Sequence, residues 1–205
     1  MNGNISNNIF KIKEFAESFF KGNFAAHDFS HTIRVFHLSE KIGREENADM
    51  EILLTSALLH DIGRSQAGDH AENSIKIAEK ILKELNFLEE KTEKIIYAIS
   101  VHRYTKGKIP ETLEAKILQD ADRIDALGAV GIMRTFAYGN RNLYNPDDPF
   151  FETKRELNDK CYALDHFYKK LLKLPKLMHT KTGKKIAKER EKFMLKFLDE
   201  LRKEI

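Results

Sequence analysis

Cysteine, tryptophan and proline are scarce or missing: the 205 residues hold one cysteine (Cys161), 4 prolines and no tryptophan. A lone thiol excludes a disulfide framework and any cysteine-built metal knot. Cys161 is read as a small apolar residue on a helix. With only 10 glycines besides, the chain lacks the punctuation of a turn-rich architecture. Charge of one sign is also missing. Lys and Arg number 35 against 32 Asp and Glu, a net of +3, too slight to imply a nucleic-acid or membrane partner by itself. It still allows a locally basic pocket. No apolar run approaches the roughly 20 residues that span a bilayer, and no basic-apolar signal segment opens the chain. A soluble protein of the reducing cytoplasm, with no membrane partner, is expected. There is no glycine-rich phosphate loop, no serine-centred nucleophile elbow and no paired-carboxylate glycosidase pattern.

Helical periodicity fills the space these absences leave. Leu, Ile, Lys and Glu recur at helical spacing, with no strand alternation and no repeat of fixed period. The pattern predicts helices over about 5–21, from Asp28 or Ser30 to about 44, 50–62, 71–85, 90–102, 113–121 and 126–138. Gly22 punctuates the first, and Asp49 is a plausible N-cap for the third. A loop over 106–110 and a looser region over 139–151 interrupt the series. Two longer helices, about 152–173 and 183–203, are expected to close the chain as a hairpin. The fold class is therefore all-α: a compact multi-helix bundle with a C-terminal helical hairpin packed on it. It is taken as one domain over 1–205, with its core at about 22–138 and the appendage at about 152–205.

Four residues far apart in sequence carry the chemistry: His31, the adjacent pair His60 and Asp61, and Asp122. Two imidazoles and two carboxylates suit a borderline divalent cation and leave coordination positions open. His31 falls in the first turn of its predicted helix. His60 and Asp61 end a helix so apolar (Ile52, Leu53, Leu54, Ala57, Leu58, Leu59) that it must lie in the centre of the domain. An aspartate there is costly unless it is paired or bound to a cation. A His-Asp dipeptide alone says little, since the chain has a second one at His27-Asp28. The alternative reading of each residue is a capping aspartate or a satisfied core histidine; the placement of all four argues against it.

The contexts sharpen this: Asp28-Phe29-Ser30-His31, Leu58-Leu59-His60-Asp61-Ile62-Gly63, and Asp120-Ala121-Asp122-Arg123-Ile124-Asp125. On these segments the chain resembles the HD-domain metal-dependent phosphohydrolases, and stretches running to Gly128 and from His166 to Phe197 resemble stand-alone microbial members. The resemblance implies that His31, His60, Asp61 and Asp122 bind a catalytic divalent metal (manganese, magnesium, iron, cobalt or nickel) in a helical pocket. It implies hydrolysis of a phosphoester, with a nucleoside triphosphate releasing pyrophosphate as first choice. A nucleoside monophosphatase or cyclic-nucleotide phosphodiesterase is the alternative, and a non-hydrolysing nucleotide sensor is the rival from another class. His70 and His102 stand where some branches place ligands to a second metal; they are assigned to substrate phosphate, with a second metal or a core role left open. No Gly-Tyr-Pro element follows His102, which counts against the cyclic-dinucleotide branch.

Charge compensation at phosphate needs guanidinium groups. Arg64, Arg103 and Arg123 are the candidates for substrate binding, with Arg64 also placed in the catalytic set. Asp125 and Glu72 are the candidates for a general base. The Lys-rich stretch 181–196 is interrupted by Glu189 and Glu191, so it reads as a solvated helix face and no nucleic-acid partner is expected. Oligomeric state leaves no trace in the sequence.

Overall fold

In the computed structural model residues 3–20, 29–64, 66–103 and 109–205 are described, with side chains from residue 7 onward. Gly22, His27, Asp28 and the greater part of the predicted 106–110 loop lie outside them. The described residues form nine α-helices and one 3-10 helix. Strand-like pairing among them is limited to an isolated bridge between Asn142 and Tyr162. The fold is all-α. It divides into two compact units, 1–122 and 123–205, a division earlier in the chain than the 139–151 stretch that separates core from appendage on sequence grounds.

The first unit holds α1 (Gly3–Phe19), α2 (Phe29–Glu46), α3 (Met50–Leu59), α4 (His70–Glu84), α5 (Glu89–Val101) and most of α6 (Leu113–Asp125). Its centre is α3, which packs against α1, α2 and α5. Every residue of α3 from Ile52 to Leu59 is buried, which contributes about 1.5–3 kcal/mol for each large apolar side chain. Asp49 starts α3 as expected: its carboxylate accepts from the Glu51 and Ile52 amides at 3.0 and 3.2 Å, satisfying donors that the helix itself leaves open. The helix stops at Leu59, three residues before the predicted end, and His60 to Arg64 follow as a tight turn. Gly63 makes that turn possible. A Cβ there would lie 2.3 Å from the Ser74 amide nitrogen in the backbone of α4, and the Gly63 amide donates to Ser74 Oγ at 3.0 Å. On α1, Ile12 and Ala16 are fully buried and Phe15 is 40% exposed.

The second unit contains α7 (Gly128–Ala137), α8 (Asp165–Lys169), a 3-10 helix (Leu171–Leu177) and α9 (Lys181–Glu204). Phe136, Phe167 and Phe197 meet in its core with ring centroids 5.9–6.2 Å apart. Thr180 caps α9 by accepting from the Gly183 amide at 2.9 Å.

One expectation for this unit fails. The long helix predicted over about 152–173 is absent: residues 152–164 are irregular, and only the short α8 and the 3-10 helix follow. Side chains capture the backbone groups a helix would need. The Asp148 carboxylate accepts from the Glu152 and Thr153 amides at 2.8 and 3.1 Å and from Thr153 Oγ1 at 2.6 Å. Buried Asp165 accepts the Asn158 amide at 2.7 Å and both Arg155 Nη groups at 2.7 and 2.8 Å. Phe151 and Lys154 adopt left-handed φ values of 58° and 54°. Cys161 consequently sits in a turn, and it is exposed rather than packed on a helix.

Candidate metal centre

All four metal-ligand candidates lie in the first unit, each at a helix terminus or just beyond one. His31 comes from the first turn of α2, His60 and Asp61 from the turn after α3, and Asp122 from the last turn of α6. Helix ends let side chains from three directions meet at one point. His31 Nε2, His60 Nε2 and an Asp122 oxygen lie within 4.8 Å of one another, and Asp61, His70 and His102 form a second group equally tight. The groups adjoin. Asp61 Oδ2 lies 3.7 Å from both His31 Nε2 and His60 Nε2, while Asp61 Oδ1 lies 3.6 and 3.7 Å from His70 Nε2 and His102 Nε2.

Two main-chain contacts settle the protons. His60 Nδ1 lies 2.8 Å from the Ala57 carbonyl and His102 Nδ1 lies 2.6 Å from the Ile99 carbonyl. A carbonyl only accepts, so each Nδ1 carries a proton, and in the neutral ring Nε2 presents a lone pair inward. His60 Nε2 faces His31 Nε2 at 3.4 Å, and His31 Nε2 faces Asp122 Oδ1 at 3.4 Å. Donor atoms about 2.0–2.2 Å from one shared ion stand about 3–3.5 Å from each other. The donor set thus fits a divalent cation in both chemistry and spacing. Asp61 contributes to either group, so a second ion held by His70 and His102 would share that carboxylate.

Electrostatics agree with this reading. Burial pushes the Asp61 carboxyl up, but His60, His102 and Arg64 outweigh it and hold the group well below its ordinary range. Asp122, 24% exposed, is likewise held down by the His31 hydrogen bond against the effect of burial. His60 is lowered by its own burial. His70 is lowered to about 4, by burial and then by the charges of Arg64 and Arg103 against the pull of Asp61. His102 is raised, because the bond to Asp61 overcomes burial.

The remaining candidates divide. Arg64 gives its Nε to Asp61 Oδ2 at 2.8 Å, so it orients a carboxylate shared by both groups. Arg103 Nη1 donates to Asp69 Oδ1 at 3.2 Å, and the same oxygen caps α4 by accepting the Ala71 amide at 2.9 Å. Glu72 is exposed on α4 and belongs to neither convergent group. Asp125 is fully buried in the second unit, where Arg134 Nη1 binds its Oδ2 at 2.5 Å. Arg123 is likewise engaged within its own unit, donating to the Leu177 carbonyl at 2.6 Å and to His179 Nε2 at 3.1 Å. Sequence reasoning missed Asp69, Ser74 and Gln119, whose Nε2 donates to the Val101 carbonyl beside His102 at 2.7 Å. Only Asp69 carries a local signal, as a capping residue before an amphipathic helix.

Comparison with known proteins follows the same segments. Residues 28–127 match the HD domain model. YpgQ of Bacillus subtilis (strain 168) is 33% identical over 202 residues, covering 95% of this chain and 92% of that protein. The crystal structure of B. subtilis YpgQ in complex with ADP superposes with a TM-score of 0.79, covering 98% of this chain and 97% of that one at 33% identity. An HD-superfamily hydrolase from Bacillus thuringiensis gives a TM-score of 0.80 at 32% identity, over 98% and 97% of the two chains. With relatives matched along nearly their whole length, and the HD domain matched where the histidine and aspartate groups converge, this chain belongs to the HD domain family and is a metal-dependent phosphohydrolase.

Proposed function

We propose that the chain hydrolyses a nucleoside triphosphate to the monophosphate and pyrophosphate, with His31, His60, Asp61 and Asp122 as metal ligands. The observation that carries this reading is the convergence of these four side chains, with His70 and His102, around Asp61. Nucleotide as the substrate class is supported by the relative YpgQ, crystallised with ADP. When bound, the metal supplies Lewis acidity to a phosphate oxygen and lowers the pKa of water.

The protein's own groups do the rest. His60 holds its Nδ1 proton on the Ala57 carbonyl and so keeps its Nε2 lone pair available. Arg64 fixes the Asp61 carboxylate through Nε. Its four other N–H donors have no partner among the described residues and are available to a phosphate oxygen. His70 and Arg103 are tied to the start of α4 through the Asp69 cap; with His102 we assign them to the β- and γ-phosphates. In the reaction a water oxygen bonds to the α-phosphorus and gives up a proton, which passes to solvent. The bond from that phosphorus to the bridging oxygen breaks, and pyrophosphate leaves with the electron pair.

The test incubates metal-free protein plus Mn²⁺ with nucleoside tri-, mono- and cyclic phosphates and separates pyrophosphate from phosphate. Pyrophosphate and monophosphate in equal amounts are expected. Orthophosphate from a monophosphate, or ring opening of a cyclic nucleotide, would replace this substrate with another.

A further inference from the structure

The 23 residues from His166 to Lys188 contain eight lysines and no aspartate or glutamate. The whole chain has a net charge of +3, so this stretch carries +8 and the other 182 residues carry −5. Outside the stretch some exposed helical cations are matched at one-turn spacing, as in Arg44 with Glu40, Lys94 with Glu90 and Lys203 with Glu200. Within this stretch Lys169 pairs with Asp159. Lys173, Lys176, Lys181, Lys184, Lys185 and Lys188 are all exposed, and none has an ion-pair partner among the described residues. The two glutamates that interrupt the 181–196 stretch, Glu189 and Glu191, both lie beyond Lys188, so the interleaving belongs only to its second half.

The backbone turns these residues into a ridge. On α9, Lys181, Lys184, Lys185 and Lys188 recur at helical spacing, opposite the buried Ile186, Ala187, Met194 and Leu198. Their like charges repel at i,i+3 and i,i+4, and three of them crowd the positive end of the helix dipole, where acidic residues are favoured and none is present. The fold gains nothing from this placement, whereas an anion laid along the ridge would relieve it. The apolar residues beneath, Leu171, Leu174, Met178, Ile186 and Ala187, are buried, and the exposed Leu177 is a single apolar side chain among the lysines, too little to seat in a bilayer. Neither aromatic side chain of the stretch, Phe167 or Tyr168, is exposed, so no platform for base stacking is offered. What remains is charge at successive helical turns, which suits a phosphate backbone read without regard to sequence.

We infer that the 166–188 face of the second unit binds the phosphate backbone of a nucleic-acid strand. The inference is independent of the proposed nucleotide hydrolysis. Binding of a fluorescent 20-nucleotide oligouridylate to the full chain is followed by anisotropy from low to moderate salt. The expected slope of log affinity against log salt is about −3, from about −0.7 per phosphate contact and four ridge lysines. The triple variant K181E/K184E/K188E is expected to weaken binding at least tenfold and to flatten the slope. It folds with unchanged or higher Tm, because the new carboxylates favour the start of α9, and it turns over nucleotides as the parent does. The control K76E/K80E/K83E changes net charge equally on exposed positions of α4 and is expected to bind nearly as the parent. No binding at low salt, or equal losses in both triple variants, overturns the assignment. So does capture of phosphatidylserine vesicles without capture of the oligonucleotide, which would make the face a membrane contact.

Discussion

At the scale of single residues, the site depends on one missing methyl group. Gly63 passes so close to the α4 backbone that a Cβ would stand 2.3 Å from the Ser74 nitrogen and 2.6 Å from the Asn73 carbonyl carbon. Both obstacles are main chain, so neither can rotate away. Gly63→Ala is expected to cost about 1–3 kcal/mol as an overpacking defect and to displace Asp61 and Arg64, with urea unfolding and metal affinity as the two readouts. A normal midpoint with intact affinity would contradict the packing argument. Asp159 offers a separate test in the second unit. Burial pushes its carboxyl up, but hydrogen bonds from Lys169 and His166 prevail and hold it at about 2. A carboxyl depressed on folding stabilises the protein above its unfolded pKa of about 3.9, and that stabilisation is lost as pH falls toward 2. Asp159→Asn should therefore flatten the acid limb of thermal stability between about pH 4 and 2, which a pH series of melting curves would reveal.

At the scale of elements, legibility followed the range of the interactions. The capped, predominantly apolar α3 and the placement of His31 in the first turn of α2 were readable, because periodicity and capping are local. Asp49→Ala should lower stability by about 1 kcal/mol in urea titration, with the slope of the transition unchanged. The segment 152–164 was misread because its Leu, Cys and Tyr positions mimic a helical stripe. The true determinants are the Asp148, Arg155 and Asp165 contacts, which form only when residues five to ten apart in sequence meet. The contacts of Asp125 and Arg123 are of the same longer range. Their partners Arg134, Leu177 and His179 lie 9 to 56 residues away, and nothing local announces them. The four metal-ligand candidates were picked out for a different reason: two imidazoles and two carboxylates are donors that a divalent cation takes, and their sequence contexts resemble a known family.

At the scale of the whole molecule, a metal held by groups from three helices links binding to folding. Such an ion binds the native state and not the unfolded chain, so a hundredfold excess over its dissociation constant adds about 2.7 kcal/mol. Mn²⁺ should raise the melting temperature and EDTA should reverse the rise. Asp61→Ala should show neither effect while keeping its far-ultraviolet circular dichroism; a full Mn²⁺ response in that variant would refute the ligand assignment. The main-chain acceptors of His60 and His102 bear on how such a site persists. Where a side-chain carboxylate orients a metal-binding histidine, one codon change can abolish the orientation. Here the acceptors are the carbonyls of Ala57 and Ile99, which every amino acid carries. Replacements at 57 and 99 can alter packing but cannot delete the acceptor, so genetic drift reaches the proton placement of both rings only by disturbing the ends of their helices.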